Sequence, residues 1–282
     1  MKTSLLLPTR SIRRVYCGVA LILAGLLYGP TEECALGALL FAPDSGSGWT
    51  LNGTSVTPSL TGGGILTLTD GQPQEAATAF YNPRQYVGDF TVSFIYQATA
   101  GIQGGLADGV AFVIQNDPLG MNALGGTGGS LGYQGITPSA AIELNLYTGH
   151  TVGTGYYTGG NTGQYINNPP YIATLPVNLD SRNPIMVTLT YDGTILKEQL
   201  QDMLTLATFS QNYAVNIPAA VAGSLAYVGF SGSSGGWTAV QTISNFSFAS
   251  SSSIPEPSIF LLGGIGGLVW GGYVRWKKQR TA

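Results

Sequence analysis

Short runs in which large apolar residues recur at every second position fill the middle of the chain. Between Phe90 and Tyr96, this spacing puts Phe90, Val92, Phe94 and Tyr96 on one face of a β-strand. Comparable runs occur at 49–53, 65–69, 110–115, 140–147, 185–191, 194–200, 227–230 and 243–248. No long segment has the periodicity of a helix. The pattern predicts an antiparallel β-sandwich or barrel.

The same pattern predicts one turn and the main members of the core. Asp192-Gly193 separates the runs 185–191 and 194–200, and this dipeptide is a strong signal for a two-residue β-hairpin. Residues on the inward faces of the strands should form the core, namely Phe90, Phe94, Phe112 or Ala111, Ile142 or Leu144, and Val187 or Leu189.

The first residues have the pattern of a secretory signal. Basic residues precede an apolar run over 15–29, and the small residues of Ala35-Leu36-Gly37 form a candidate cleavage site. We therefore assign 1–38 as a signal segment. Arg13-Arg14 suits twin-arginine export, and the general secretory route stays open. A permanent membrane anchor is the alternative, although the run is short for spanning.

The last residues have three parts in a fixed order. Pro255-Glu256-Pro257 comes first, an apolar, glycine-rich run to Val274 comes second, and a basic tail ends the chain. This order resembles the PEP-CTERM sorting signal of Gram-negative bacteria. The resemblance implies an apolar transmembrane helix in 255–282, processing by an exosortase, and delivery to the cell surface or extracellular matrix. The serine-rich residues 250–254 form a linker. The alternative is an ordinary tail anchor.

The segment between these two ends has few charged residues, and most of them are acidic. It holds only three basic residues, Arg84, Arg182 and Lys197, against eleven acidic ones, a net charge of −8. Nucleic-acid binding needs basic patches, so we expect no nucleic-acid partner. The two cysteines, Cys17 and Cys34, lie in or near the signal segment, so the mature domain should lack a disulfide.

One stretch of the middle combines groups suited to a neutral, hydroxyl-rich ligand. Asp108 stands just before the strand 110–115, a glycine-rich loop follows at 125–132, and Glu143 lies inside the strand 140–147. This order resembles the core signature of the legume-type (L-type) lectins. Other similar segments are 48–53, 77–81, 90–96, 227–232 and 243–248. The resemblance implies an all-β, two-sheet antiparallel sandwich (a concanavalin-like jelly roll) over 39–249.

The resemblance also implies a carbohydrate site. It matches Asp108 to the sugar-binding acid, Gly129 to the glycine-loop donor, and Gly236 and Trp237 to the last specificity loop; together with Asn145 these should meet at one end of the sandwich. A carboxylate accepts bonds from adjacent hydroxyls, a glycine N–H donates one, and an aromatic ring covers the apolar sugar face. The family carries a cis bond before this aspartate. The alternatives are a turn acid, a flexible glycine turn and a packed surface aromatic.

The metal pattern of the family is incomplete in this chain. The family has two acids, an aromatic residue and an asparagine at alternating positions, followed by another acid and a histidine. Here Glu143 fits, Asn145 replaces an acid, Gly149 replaces the asparagine, and His150 is the only histidine. Calcium favours several oxygens with negative charge. A two-metal site, one weak calcium on Glu143 and Asn145, and a purely structural Glu143 remain open.

Two classes of function follow from these residues. Glycan hydrolysis needs two carboxylates beside the scissile bond. Residues 143, 145 and 147 share one face of their strand, and only Glu143 among them is an acid, so we expect no enzyme. The first class is an exported, carbohydrate-binding module, with exopolysaccharide as an expected partner. The second is a structural surface or matrix protein that has the lectin fold without sugar affinity.

Overall fold

The computed structural model describes residues 39–40, 47–165 and 167–250. The predicted signal segment, most of the linker, and the sorting signal with its apolar helix lie outside these residues. Within the described ranges, no helix has the length and apolar character needed to cross a membrane.

The described residues form fifteen strands, and every strand pair is antiparallel. The strands are β1 Leu39–Leu40, β2 Trp49–Gly53, β3 Ser59–Thr61, β4 Ile65–Asp70, β5 Ala76–Tyr86, β6 Phe90–Ala100, β7 Gly109–Gln115, β8 Ser139–Asn145, β9 Gly153–Thr158, β10 Ile172–Ala173, β11 Ile185–Tyr191, β12 Ile195–Asp202, β13 Thr208–Ala214, β14 Leu225–Ser233 and β15 Ala239–Ala249. The helical segments are α1 Ile217–Ala220 and the 3-10 turns Gly120–Asn122, Gly128–Ser130 and Leu179–Ser181.

Two sheets build the domain. The front sheet has seven strands in the order β10-β9-β8-β7-β14-β5-β2. The back sheet has eight, in the order β13-β12-β11-β6-β15-β4-β3, with β1 also paired to β15. This arrangement confirms the predicted all-β, two-sheet antiparallel sandwich. Every predicted run overlaps a strand, although Thr194 belongs to the turn before β12 and the run 140–147 leaves the sheet after Asn145.

The hairpin between β11 and β12 differs from the prediction. Three residues, Asp192 to Thr194, connect the strands instead of two. Asp192 Oδ1 accepts the N–H groups of Thr194 and Ile195, both at 2.8 Å, and Gly193 has a φ of 97°. The aspartate side chain therefore closes a longer turn than the dipeptide signal predicts.

The core lies between the sheets and matches the predicted members. Phe90, Val92, Phe94 and Tyr96 are all buried on the inner face of β6. The ring of Phe94 lies 5.0 Å from that of Phe230, edge to face, so aromatic packing joins the back sheet to the front sheet. Phe112, Ile142, Leu144, Val187 and Leu189 are also buried in this cluster.

A second buried layer covers the outer face of the front sheet. Ala111 and Val113 alternate with the core residues of β7, so they point outward, where Leu131, Tyr133 and Tyr171 from the following loops pack over them. The same alternation puts Glu143 and Asn145 of β8 on this outer face. The loops that follow β7 and β9 therefore lie above these two polar side chains.

Candidate functional site

Three loops meet around Asp108 at one end of the front sheet. The Asp108 N–H donates to Ser233 O at 3.0 Å, and the Gly128 N–H donates to Ser234 O at 3.0 Å. A methyl group at Gly235 would stand 3.0 Å from Asp108 Oδ2 and 3.2 Å from the Gly128 Cα. The two loops thus approach the carboxylate closely because glycine stands at these positions.

Asp108 carries the most unusual carboxylate of this region. The Ala107–Asp108 peptide bond is cis, as the family resemblance implied. The residue is 6% exposed, and its Oδ2 has no hydrogen-bond partner among the described residues. Burial raises the pKa of Asp108 to about 6, and the nearby Gln164 side chain and Gly235 N–H partly offset that rise. At neutral pH the group is mostly ionised, so its oxygens are hydrogen-bond acceptors.

Gln164, in the loop after β9, lies against the glycine turn. A Cβ at Gly129 would stand 2.5 Å from Gln164 Oε1, so a larger residue there would have to displace the Gln164 side chain. Thr162 Oγ1 donates to Gly129 O at 3.0 Å, which fixes the glycine turn to the same loop. Gln164 Nε2 also donates to Asn145 Oδ1 at 2.8 Å. Gln164 therefore links the glycine turn to the end of β8.

Asn145, the last residue of β8, is fully buried. Its Nδ2 donates to the carbonyl oxygens of Tyr147, at 3.1 Å, and Thr151, at 2.8 Å. Its Oδ1 accepts from the Tyr147 N–H at 3.2 Å as well as from Gln164. The side chain was predicted to contact carbohydrate, but its polar atoms are all bonded to protein groups, so it organises the loop at 147–151 instead.

Trp237 forms a partly exposed aromatic rim. The side chain is 41% exposed, and its ring meets the ring of Tyr147 edge to face at 5.5 Å. The other side of the indole covers Gly104 and Gly105. Space around Gly236 is open, since a Cβ there would have no neighbour within 4 Å. Trp237 is thus packed against Tyr147, Gly104 and Gly105, and the remaining exposed part of its side chain is available to a ligand.

Glu143 is buried and bonded to protein groups. Its Oε2 accepts from the Tyr171 O–H at 2.7 Å and from the Gly163 N–H at 3.2 Å. Burial raises the pKa of Glu143 to about 8, which the Tyr171 and Gly163 hydrogen bonds partly counter, so the carboxyl is mostly protonated at neutral pH. In the described part of the chain, no three His, Cys, Asp or Glu residues cluster to hold a metal. These residues do not fit calcium, which favours charged oxygen ligands.

The comparisons with known proteins identify the family. The model of the legume lectin domain matches residues 44–259. The chain belongs to the legume lectin domain family. This legume lectin domain shares its fold with a lectin from Bauhinia forficata solved in complex with GalNAc, at 19% identity and a TM-score of 0.61, over 77% of this chain and 99% of that one.

Two further solved structures give the same result for this legume lectin domain. Arcelin-5, a lectin-like defence protein from Phaseolus vulgaris, has 18% identity and a TM-score of 0.60 over 75% of this chain and 96% of its own. Lectin II from Ulex europaeus has 17% identity and a TM-score of 0.61 over 75% and 97%. Identities this low show the shared fold alone. At this coarse level, a non-catalytic family agrees with the expectation of no enzyme.

The legume lectin domain brings the predicted residues into one region, with different positions in it. The candidate pocket is the region around Asp108, the Gly129 turn and the Gly235 loop; Trp237 is partly exposed two residues after Gly235, and Asn145 is buried and bonded to Gln164. Sequence reasoning missed Gln164, which contacts the glycine turn and Asn145. The glycine- and asparagine-rich segment 159–163 signals a loop after β9, but nothing in it singles out the glutamine that follows.

Proposed function

We propose that this protein is an exported bacterial surface or matrix protein whose lectin-like domain binds carbohydrate without catalysis. The observation that carries the proposal is the Asp108 carboxylate, which has an unpartnered Oδ2 between two close glycine loops. A buried polar atom without a partner is costly, and the hydroxyl groups of a sugar would supply the missing donors.

The surroundings of Asp108 support a neutral, hydroxyl-rich ligand. The Gly129 turn presents backbone at the pocket, and the exposed side of Trp237 can cover an apolar sugar face. The segment between the predicted sorting signals has few charged residues, which suits a neutral polysaccharide better than a charged polymer. Exopolysaccharide is therefore the ligand class that we propose.

One observation favours the second candidate, a structural matrix protein with the lectin fold and no sugar affinity. Asp108 is only 6% exposed, and Gln164 fills the space beside Gly129, so little open space remains next to the carboxylate. A glycan array probed with the full chain, in calcium and in chelator, separates the two candidates. Selective binding in either condition supports the lectin; no binding in both supports the structural protein.

The proposed export depends on the two ends of the chain. Changing Pro255, Glu256 and Pro257 to alanine should leave the tail attached to the protein in a host that has an exosortase. The mass of the surface-associated protein measures this, and alanine substitutions at 251–253 serve as the matched control. Normal tail removal in the first variant would show that the motif is incidental.

A further inference from the structure

The side-chain amide of Asn145 has a complete set of protein partners. Its two N–H groups point to the carbonyl oxygens of Tyr147 and Thr151, and its oxygen receives one N–H from the backbone and one from Gln164. An amide has two donor hydrogens and an oxygen with two lone pairs. All four are used, in a fully buried position.

Two of these partners are groups that a cation could otherwise hold. Backbone carbonyls are common calcium ligands, and in the family pattern an acid stands where this chain has Asn145. Here the Tyr147 and Thr151 carbonyls instead meet N–H hydrogens, which carry partial positive charge. Glu143 Oε2 is likewise occupied, because Tyr171 and Gly163 donate to it, whereas Oε1 has no hydrogen-bond partner among the described residues.

We propose that the Asn145 amide does the structural work of a bound cation in this chain. It joins the loop at 147–151 to Gln164, and Gln164 contacts the Gly129 turn, so the pocket is organised without metal. The inference rests on the proposed function only in taking this pocket as the glycan site. Its tests measure stability and metal binding, which need no glycan.

The first test uses the unmodified full chain in mild detergent. Its melting temperature should shift by less than about 1 °C when millimolar calcium replaces chelator, because a ligand that binds only the folded state would raise it. Isothermal titration with calcium should show no saturable heat. A calcium-dependent rise of several degrees, or a saturable site, overturns the inference whether or not the protein binds sugar.

The second test changes one group. Asn145→Asp keeps the shape but directs a carboxylate at two carbonyl oxygens, so in chelator it should lower the melting temperature by roughly 5–10 °C. The matched control is Asn161→Asp, which adds the same charge at an exposed position in the loop after β9. Equal melting temperatures for the two variants overturn the inference. If Asn145→Asp does not fold, the calcium response of the unmodified chain decides.

Discussion

Replacing Asp108 with asparagine should lower the affinity for the cognate glycan by roughly 100-fold, since a hydrogen bond to a charged group contributes about 1.5–3 kcal/mol. The variant keeps the shape of the side chain but replaces an acceptor-only carboxylate with an amide that has one acceptor oxygen. The amide nitrogen would then face sugar hydroxyls and the Gly235 N–H as a donor. Titration of the best array glycan against both proteins gives the ratio of affinities.

The pH dependence of binding provides an internal check on this prediction. Because the pKa of Asp108 is raised to about 6, the carboxylate of the parent becomes protonated as the pH falls through that value. Glycan affinity should therefore fall below pH 6 in the parent and stay constant in Asp108→Asn. The direction follows from the need for an ionised acceptor.

Glu198→Gln is the matched control, since Glu198 is also a buried carboxyl but lies between the sheets. It should leave glycan affinity unchanged. If Asp108→Asn binds as tightly as the parent, the carboxylate is not the sugar acceptor and the site must be sought elsewhere. If both variants lose binding equally, the loss reflects stability and carries no information about the pocket.

Alternation predicted strands well where one face is buried and the other is not. β6 and β11 fit this description. The predicted run 185–191 has the bounds of β11, and the run 90–96 has the correct start of β6, which continues to Ala100. β5 was missed because its first half, Ala76–Phe80, is buried on both faces and so shows no alternation. β13 was missed for the opposite reason, since as an edge strand it has mostly polar, exposed residues.

The site was predicted less completely than the fold, because contacts across loops have no sequence period. Asp108 and Gly129 were found through the family resemblance, and their local chain positions suffice to place them. The role of Asn145 depends on where the carbonyls of Tyr147 and Thr151 point. The contacts of Gln164 with Gly129 and Asn145 depend on how the loop after β9 folds back over β8. Neither could be obtained without the three-dimensional arrangement.

The domain should be more stable at pH 5 than at pH 8, because two buried carboxyls, Glu198 and Glu143, have raised pKa values. Burial raises the pKa of Glu198 to about 7, although Thr154 and Tyr213 hydrogen bonds oppose the rise. Thr154 Oγ1 lies 2.9 Å from Glu143 O and 2.7 Å from Glu198 Oε1. Thr154 has one hydroxyl hydrogen, so it can donate to only one of these two oxygens. When it donates to Glu143 O, a protonated Glu198 donates its own hydrogen to Thr154 Oγ1, and both contacts become hydrogen bonds.

The direction of this pH dependence follows from the linkage between proton binding and folding. A raised carboxyl pKa means that the folded state binds the proton more tightly, so the stabilisation is complete below about pH 4.5 and declines as the pH rises to about 7. Each unit of pKa difference is worth about 1.4 kcal/mol, which gives a loss of about 3 kcal/mol for this buried group. Glu143, whose pKa is raised to about 8, adds in the same direction. Asp192 has a lowered pKa, so it changes the free energy of unfolding only below about pH 4.

Urea unfolding of the full chain between pH 5 and pH 8 measures this dependence as the change in the free energy of unfolding. Glu198→Gln removes the ionisable group but keeps its size, so the curve of stability against pH should become flatter by about the contribution of one carboxyl. Asp117→Asn is a suitable comparison. Asp117 lies just after β7, its side chain is largely buried, and its carboxylate accepts two backbone N–H bonds. Stability that rises from pH 5 to pH 8 in the parent would mean that Glu198 and Glu143 are held as stabilised anions, and would contradict the desolvated, protonated core described above.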